Sequence, residues 1–390
     1  METTIKLYEK DAYCREFTAV VTASISEKGV FKVALDGTAF YPEGGGQPAD
    51  QGVLGDTAVS DVREKDGIIW HTVSEPLEEG VTVTGKINWQ RRYSHMQNHS
   101  GEHVVSGLIC SRFGYQNVGF HMGSEVITMD FNGPVTAEQL REIEAEANAA
   151  VEADIPVQVL YPSKVELEAL NYRSKKEIAG QVRIVRIEGC DTCACCGTHV
   201  RSTREIRMIK LLSVQNYKGG VRIAMLCGNR AFADYGIKHQ QITRIMHLVS
   251  AKPENADAAV EKVLEENREL RFKLAQLKRR MAELTALTIP ENTRWYCMTD
   301  DKLEPRDLRE VANALQARAE TVLVLGENNS YVLKSKAADA REFNRLLLEH
   351  FGGRGGGSAE MVQGTLQGET DKIRMFFESV CEGEEDGKRS

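Results

Sequence analysis

A chain of 390 residues exceeds what one hydrophobic core usually supports, so two or three domains are expected. Its 42% hydrophobic content is ordinary for a globular protein, and a formal net charge of -8 argues against nonspecific grip on nucleic acid while leaving room for a local basic patch. No run approaches the roughly 18 uninterrupted apolar residues of a membrane helix, and METTIKLYEKDAYCRE lacks the apolar core of a signal peptide, so a cytoplasmic protein with no membrane partner is expected.

From about residue 5 to 88, short alternating runs such as FTAVVTASIS, VFKVALDG and VTVTGKINW are separated by Gly, Asp and Asn turn signals. That pattern predicts a small antiparallel, barrel-like sheet over residues 1–88. Helical character begins at Gln90 and runs to about Phe113. The strand VITMDF, the amphipathic helix AEQLREIEAEANAAVEA and the strands VQVLYP and VRIVRIEG follow, giving a central α+β domain over 89–245.

Between residues 258 and 287, Val260, Val263, Asn267, Leu270, Leu274, Leu277, Met281 and Leu284 fall at alternating a and d heptad positions. The repeat predicts a long coiled-coil helix within 246–289, either intermolecular or a local hairpin, against the plainer reading of one helix lying on its own domain. Asn267 at a core position suits a dimer. Pro290 ends the helix. Strands TVLVLGE and SYVLKSK, the helix AADAREFNRLLLEHF and the loop GGRGGGSAEMVQGT predict a C-terminal α/β glycine-rich domain over 290–390. The fold class expected for the whole chain is α+β.

The chemistry concentrates in two stretches. In HMQNHSGEHVVSG, His95, His99 and His103 recur every four residues, so neighbouring pairs lie one turn apart on one helical face. In GCDTCACCGTHV, Cys195 and His199 have a matching three-residue gap. Nine cysteines, four of them within residues 190–196, read as thiols or metal ligands in a reducing compartment. One histidine pair together with Cys195 and His199 meets the usual demand of zinc for four N and S ligands. Two alternatives stand beside this: a self-contained cluster of Cys190, Cys193 and Cys196, and a protease-type H-x-x-E-H in which Glu102 is the base and Glu177 completes the metal set.

TAFYPEGGGQPADQG, RYSHMQNHSGEHVVSG, GFHMGSEVITMDF, CCGTHVRSTREIRMIK and GGRGGGSAEMVQGT occur in that order. Together they resemble the free-standing alanyl-tRNA editing proteins of the AlaX type in their long form, similar to the editing and C-terminal parts of alanyl-tRNA synthetase. The resemblance covers nearly the whole chain, leaving no room in it for an ATP-binding aminoacylation core. It implies hydrolysis of the ester joining a wrong amino acid, serine or glycine, to tRNA(Ala). It puts one zinc per chain on His99, His103, Cys195 and His199, leaving His95 outside the motif. It sets Gly44, Gly45, Gly46 and Gln47 beside the substrate pocket.

Two departures from the synthetase bear on mechanism. Glu102 stands where the synthetase has Thr, and His121, ahead of Ser124, stands where it has Gln. Glu102, His121, Ser124 and Gln47 are therefore the catalytic or substrate-pocket candidates, although roles tied to the synthetase's Thr and Gln do not transfer. Candidate tRNA contacts are Arg91, Arg92 and Arg354, with Arg173, Lys175, Lys176, Arg201, Arg204, Arg207 and the run from Arg271 to Arg280 as further basic surface. A homodimer through the coil or the C-terminal domain is expected. The competing class of function is a zinc-stabilised, dimeric tRNA-binding adaptor without catalysis.

Overall fold

The structure, a computed structural model, describes residues 2–27, 29–174 and 180–387, with side chains described outside 27 and 384–387. It is mixed α+β, and the chain forms two compact units, Met1–Gln241 and Ile242–Ser390. None of the described helices is long and apolar enough to cross a membrane.

In the first unit, β1 (Glu16–Glu27), β2 (Val30–Leu35), β3 (Gly52–Leu54), β4 (Thr57–Lys65), β5 (Ile68–Val73) and β6 (Thr82–Ile87) pair in the order β1-β2-β5-β4-β3-β6. Because β6 also pairs with β1, the ring closes and leaves no open edge. Alternate residues such as Val33, Leu35, Leu54, Val59, Val62 and Ile69 fill its core. One polar ring shares that core. His71 is fully buried, bonded to Thr38 Oγ1 at 2.9 Å and to the Val33 carbonyl at 3.0 Å, and burial pushes its pKa down to about 4.

Helix α1 (Trp89–Phe113) leaves the barrel directly. The Asn88 side chain caps it by accepting from the Arg91 amide, and Gly114, at φ 72°, ends it in the left-handed conformation glycine tolerates best. A buried ion pair fixes its first turn to the barrel. Arg92, with no exposed surface, donates from Nε to Asp50 Oδ2 at 2.9 Å and from Nη1 to the Ala12 carbonyl at 2.9 Å, while Asp50 also accepts from the Tyr41 amide at 2.7 Å. Arg92 is thus a structural ion-pair partner with nothing to offer an RNA phosphate, which corrects the sequence expectation: the two adjacent arginines are alike in charge, but Arg91 is half-buried where Arg92 is fully enclosed.

Beyond α1 come β7 (Asn117–Met122), β8 (Ile127–Phe131), α2 (Ala137–Glu152), β9 (Val157–Leu160), β10 (Ile184–Ile187), β11 (Asp191–Ala194), β12 (Ile209–Tyr217) and β13 (Gly220–Cys227). They make an antiparallel sheet ordered β12-β13-β8-β7 and a smaller sheet β9-β10-β11. Met96, Val104, Val105 and Ile109 of α1, Ile143 and Ala147 of α2, and Met129, Ile223 and Met225 of the sheet share one core. From His95 to Ile109 every residue of α1 is buried, so this helix has little polar face to show in the sequence.

Helix α3 (Gly228–Val249) leads out of the first unit. The second unit holds α4 (Ala256–Thr288), β14 (Thr293–Thr299), α5 (Pro305–Leu315), β15 (Ala319–Leu325), β16 (Ser330–Ser335), α6 (Ala340–Phe351), β17 (Gly353–Gly357), β18 (Met361–Leu366) and α7 (Thr370–Gly387). Its sheet runs β14-β15-β16-β18-β17. One expectation changes here. GGRGGGSAEMVQGT is not a loop: its glycines form the edge strand β17, paired antiparallel with β18. Helix α4 packs on its own unit through Ala282 and Ala286, off the heptad seam, while Val263, Leu270, Leu274, Leu277, Met281 and Leu284 of the seam are exposed.

Candidate active site

Helix α1 carries His99 and His103 one turn apart, and the turn after β11 carries Cys195 and His199. The ligand atoms of these four side chains lie within 4.8 Å of one another. Cys195 Sγ is 3.5 Å from His99 Nε2 and 3.4 Å from His199 Nε2. An imidazole nitrogen and a thiolate bound tetrahedrally to one zinc, at roughly 2.0 and 2.3 Å, would stand about 3.5 Å apart.

Every one of these three imidazoles is oriented through its other nitrogen. His99 Nδ1 is 2.9 Å from Gln47 Oε1, His103 Nδ1 is 2.8 Å from Asp191 Oδ2, and His199 Nδ1 is 3.1 Å from Ser100 Oγ. Bonds at Nδ1 to the Gln47 and Asp191 oxygens fix the tautomer that leaves Nε2 as a lone-pair donor toward Cys195, as metal-binding histidines are ordinarily held. Asp191 is itself gripped by Arg173, from Nε at 2.7 Å and Nη2 at 2.8 Å. Gln47 also donates to Thr198 Oγ1 at 2.9 Å and accepts from the Thr198 amide.

The backbone makes room for this. Gly44 and Gln47 exchange hydrogen bonds around Gly45 and Gly46, whose positive φ values of 60° and 85° define a tight turn, and a Cβ on Gly46 would meet the Phe120 ring at 2.5 Å. Phe120 in turn stacks on His99, with ring centroids 5.2 Å apart. Gly197 is equally constrained, since a Cβ there would stand 2.1 Å from the His99 ring.

Electrostatics favour a thiolate at Cys195. Burial alone would push Cys195 up, but His99, His199 and His103 together hold it well below the usual thiol range. His199 is driven down to about 3, chiefly by burial. For His103, burial pushes down but is outweighed by Cys195 and the bond to Asp191, so it is raised. Asp191 is likewise opposed by burial, yet its bonds to His103 and Arg173 keep it below the usual carboxylate range. A proton on His103 beside a thiolate is one that a bound cation displaces.

Glu102 is buried in the same helix. Its Oε1 accepts from Ser106 Oγ at 2.7 Å and from Asn117 Nδ2 at 2.6 Å, while its Oε2 lies 3.9 Å from His103 Nε2, on the ligand side. Gln47 is fully buried and spent on His99 and Thr198, so it positions a ligand rather than lining an open pocket. His121 is exposed within β7, and Ser124 is exposed just beyond. Arg354 is exposed on β17 and Arg91 is half-buried at the start of α1. His95 is buried and lies outside the four-ligand group.

Of the alternative cysteines, Cys196 is exposed and Cys193 is buried beside His103 and Asp191, so Cys190, Cys193 and Cys196 form no common group among the described residues. Glu177, Lys175 and Lys176 lie outside the described residues. Sequence reasoning missed Asp191, Asn117, Ser106, Ser100 and Thr198. Only Asp191 gave a signal, standing within the cysteine run as a carboxylate of the kind that commonly supports a metal-bound histidine.

Two family models match. Residues 182–224 fit the threonyl and alanyl tRNA synthetase second additional domain, and residues 5–91 fit the class II (A) tRNA synthetases. The chain is 30% identical over 397 residues to the alanyl-tRNA editing protein AlaX-L of Pyrococcus horikoshii, covering 94% of this chain and 96% of that one. It is 31% identical over 307 residues to the alanyl-tRNA editing protein Aarsd1 of Rattus norvegicus, covering 74% of each. Against the alanine–tRNA ligase of Pyrococcus abyssi it is 29% identical over 397 residues, matching 96% of this chain but 43% of the ligase. At 30% identity over nearly the full length of both chains, the chain belongs to the alanyl-tRNA editing proteins.

Proposed function

We propose that this hydrolase removes serine, and secondarily glycine, from mischarged tRNA(Ala), with one zinc ion held by His99, His103, Cys195 and His199. The observation that carries the reading is the convergence of three imidazole Nε2 atoms on one thiolate, each ring oriented from behind. The names of the relatives, alanyl-tRNA editing proteins, supply the substrate class. A zinc ion in such a site polarises an ester carbonyl or acidifies a water.

The reaction asks little beyond positioning, because an aminoacyl ester is already activated. The water oxygen bonds to the ester carbonyl carbon, the bond from that carbon to the terminal ribose oxygen breaks, and the ribose oxygen leaves with a proton. Glu102, anchored through one oxygen by Ser106 and Asn117 and turned toward the ligand side with the other, takes the proton of the attacking water. Alanine is smaller than serine, so exclusion by size cannot protect correctly charged tRNA. Selectivity must rest on a polar contact to the serine hydroxyl that alanine would leave unpaired.

The exposed heptad seam of α4 supports a homodimer in which two copies of this helix pack through Leu270, Leu274, Leu277 and Leu284. The functional reading is tested by following amino-acid release from seryl-tRNA(Ala) and alanyl-tRNA(Ala) under the same conditions. Serine should be released far faster, and equal rates would refute the assignment.

A further inference from the structure

One cavity of the first unit lies outside the four-ligand centre and has its own chemistry. It has a volume of about 400 Å³ and is lined by the first turns of α1 and α3, through Asn88, Gln90 and Arg91 on one side and Asn229, Arg230 and Ala233 on the other, with Ser94 and His95 behind. A helix N-terminus carries the positive end of the helix dipole, which acidic side chains commonly neutralise; the Arg91 and Asn229 amides here already donate to Asn88 Oδ1 and Gln97 Oε1, so these ends contribute their dipoles. Neither α1 nor α3 has an acidic residue in its first turn, and both place an arginine there instead.

Two of the side chains that line this cavity carry a buried polar atom without a hydrogen-bond partner. His95 is 5% exposed, and its Nδ1 is buried without a hydrogen-bond partner. Arg230 donates from Nη2 to the carbonyls of Gly123, at 2.7 Å, and Ser124, yet its Nη1 is also buried and unpartnered. These are two of the four such side-chain atoms among the described residues, and they line the same cavity. A buried group left without a partner is costly, so two around one cavity mark a place built for something to be bound. Burial and the nearby positive charge of Arg91 both weigh against the Arg230 charge.

We infer that this cavity holds a backbone phosphate of the RNA strand whose 3′ end carries the ester, gripped by Arg91, Arg230 and His95 at two converging helix N-termini. The ligand fits the site's charge, since no carboxylate lines the cavity and two helix ends reinforce two guanidiniums. The location fits as well. His95 precedes the ligand His99 by one turn of α1, about 6 Å along the axis, on the scale that separates a terminal ribose from the first phosphodiesters of its strand. Arg230 also holds the carbonyls that follow β7, the strand whose Phe120 stacks on His99, so a phosphate here would register the RNA on the segment packed against the reacting centre. This inference rests on the editing reading for the identity of the strand, but its test uses no ester.

The experiment measures binding of uncharged tRNA(Ala) to the full-length protein across a range of salt concentrations. Arg91→Gln and Arg230→Lys are compared with wild type after each is shown to melt like it. Each variant should weaken binding by about tenfold, and Arg91→Gln should reduce the slope of log affinity against log salt by about one, the signature of one lost phosphate contact. A wild-type slope and affinity in both variants would overturn the proposal. A second arm titrates inorganic phosphate and follows the ring signals of His95 by NMR. Shifts abolished by saturating tRNA support a phosphodiester site, whereas shifts that persist with tRNA bound mean the cavity takes free phosphate, and the inference fails. A protein that shows the Arg91-dependent slope but releases no serine would sink the hydrolytic reading and leave the phosphate site standing.

Discussion

Gln47 Oε1 lies 2.9 Å from His99 Nδ1, joining a turn of the barrel to a helix 52 residues further along the chain. Four small or amide residues in a row, GGGQ, read like a substrate loop. Their effect in the structure is to bring an amide acceptor to the back of an imidazole. Gln47→Ala should therefore act on the metal before it acts on the substrate. Zinc affinity should fall 10- to 100-fold, as for other residues that orient metal-bound histidines, and excess zinc should restore much of the lost rate. Competition against a chromogenic chelator measures this, and unchanged affinity would contradict it.

Gly197→Ala should be more damaging than its size implies. A Cβ would stand 2.1 Å from the His99 ring with no route for the ring to yield, because Gln47 and Phe120 hold it from other sides. Zinc content per chain, measured by elemental analysis, should drop well below one while the barrel's β signal in circular dichroism persists. Full zinc occupancy would show that the ligand geometry is looser than described.

Glu102→Gln separates chemistry from assembly. The amide can still bond to Ser106 and Asn117, so the fold and the zinc content should survive, whereas proton transfer from water is lost. The kcat for seryl-tRNA(Ala) should fall by about 10² to 10³, with KM little changed. A decrease of less than threefold would return Glu102 to a purely structural role.

His71 gives the barrel a pH response independent of the metal. Its folded pKa is about 4 against roughly 6.5 when unfolded, so between those values the unfolded chain binds the extra proton and stability falls as pH is lowered. The loss reaches at most on the order of 3 kcal/mol at the lower end. His71→Gln should flatten the dependence of the melting temperature on pH between 6.5 and 4.5. A slope identical to wild type would assign the acid sensitivity elsewhere.

Much of the site is legible as residue types at helical and turn spacings. His99 with His103, and Cys195 with His199, stand out because liganding side chains are rare and their gaps match a helical turn. The supporting set is not legible, since Ser100, Ser106, Asn117 and Thr198 are common residues whose roles appear only when strands and helix are brought together. Arg92 shows the reverse failure: an arginine in a basic dipeptide reads as surface until a buried Asp50 is placed beside it. The glycines of β17 misled in a third way. A run of GGRGGG has no strand propensity, and it is held as a strand by pairing with β18 at the sheet edge. The heptads of α4 pointed correctly to a long helix, but only the burial of Ala282 and Ala286 revealed which face its own unit uses.

That open seam carries the dimer prediction. Leu270→Lys combined with Leu277→Lys places charges on the seam without touching the Ala282 and Ala286 face. Sedimentation should then shift from dimer to monomer with the melting behaviour of the second unit retained. An unchanged sedimentation coefficient would put any self-association elsewhere.

The central claim is that a zinc ion on His99, His103, Cys195 and His199 is needed to hydrolyse mischarged tRNA(Ala). The most direct measurement is serine release from seryl-tRNA(Ala) by chelator-treated protein, before and after one equivalent of zinc is returned. The expected result is loss of activity on chelation, recovery with stoichiometric zinc in the wild type, and no recovery in Cys195→Ala. Hydrolysis at the full rate by verified zinc-free protein would contradict it.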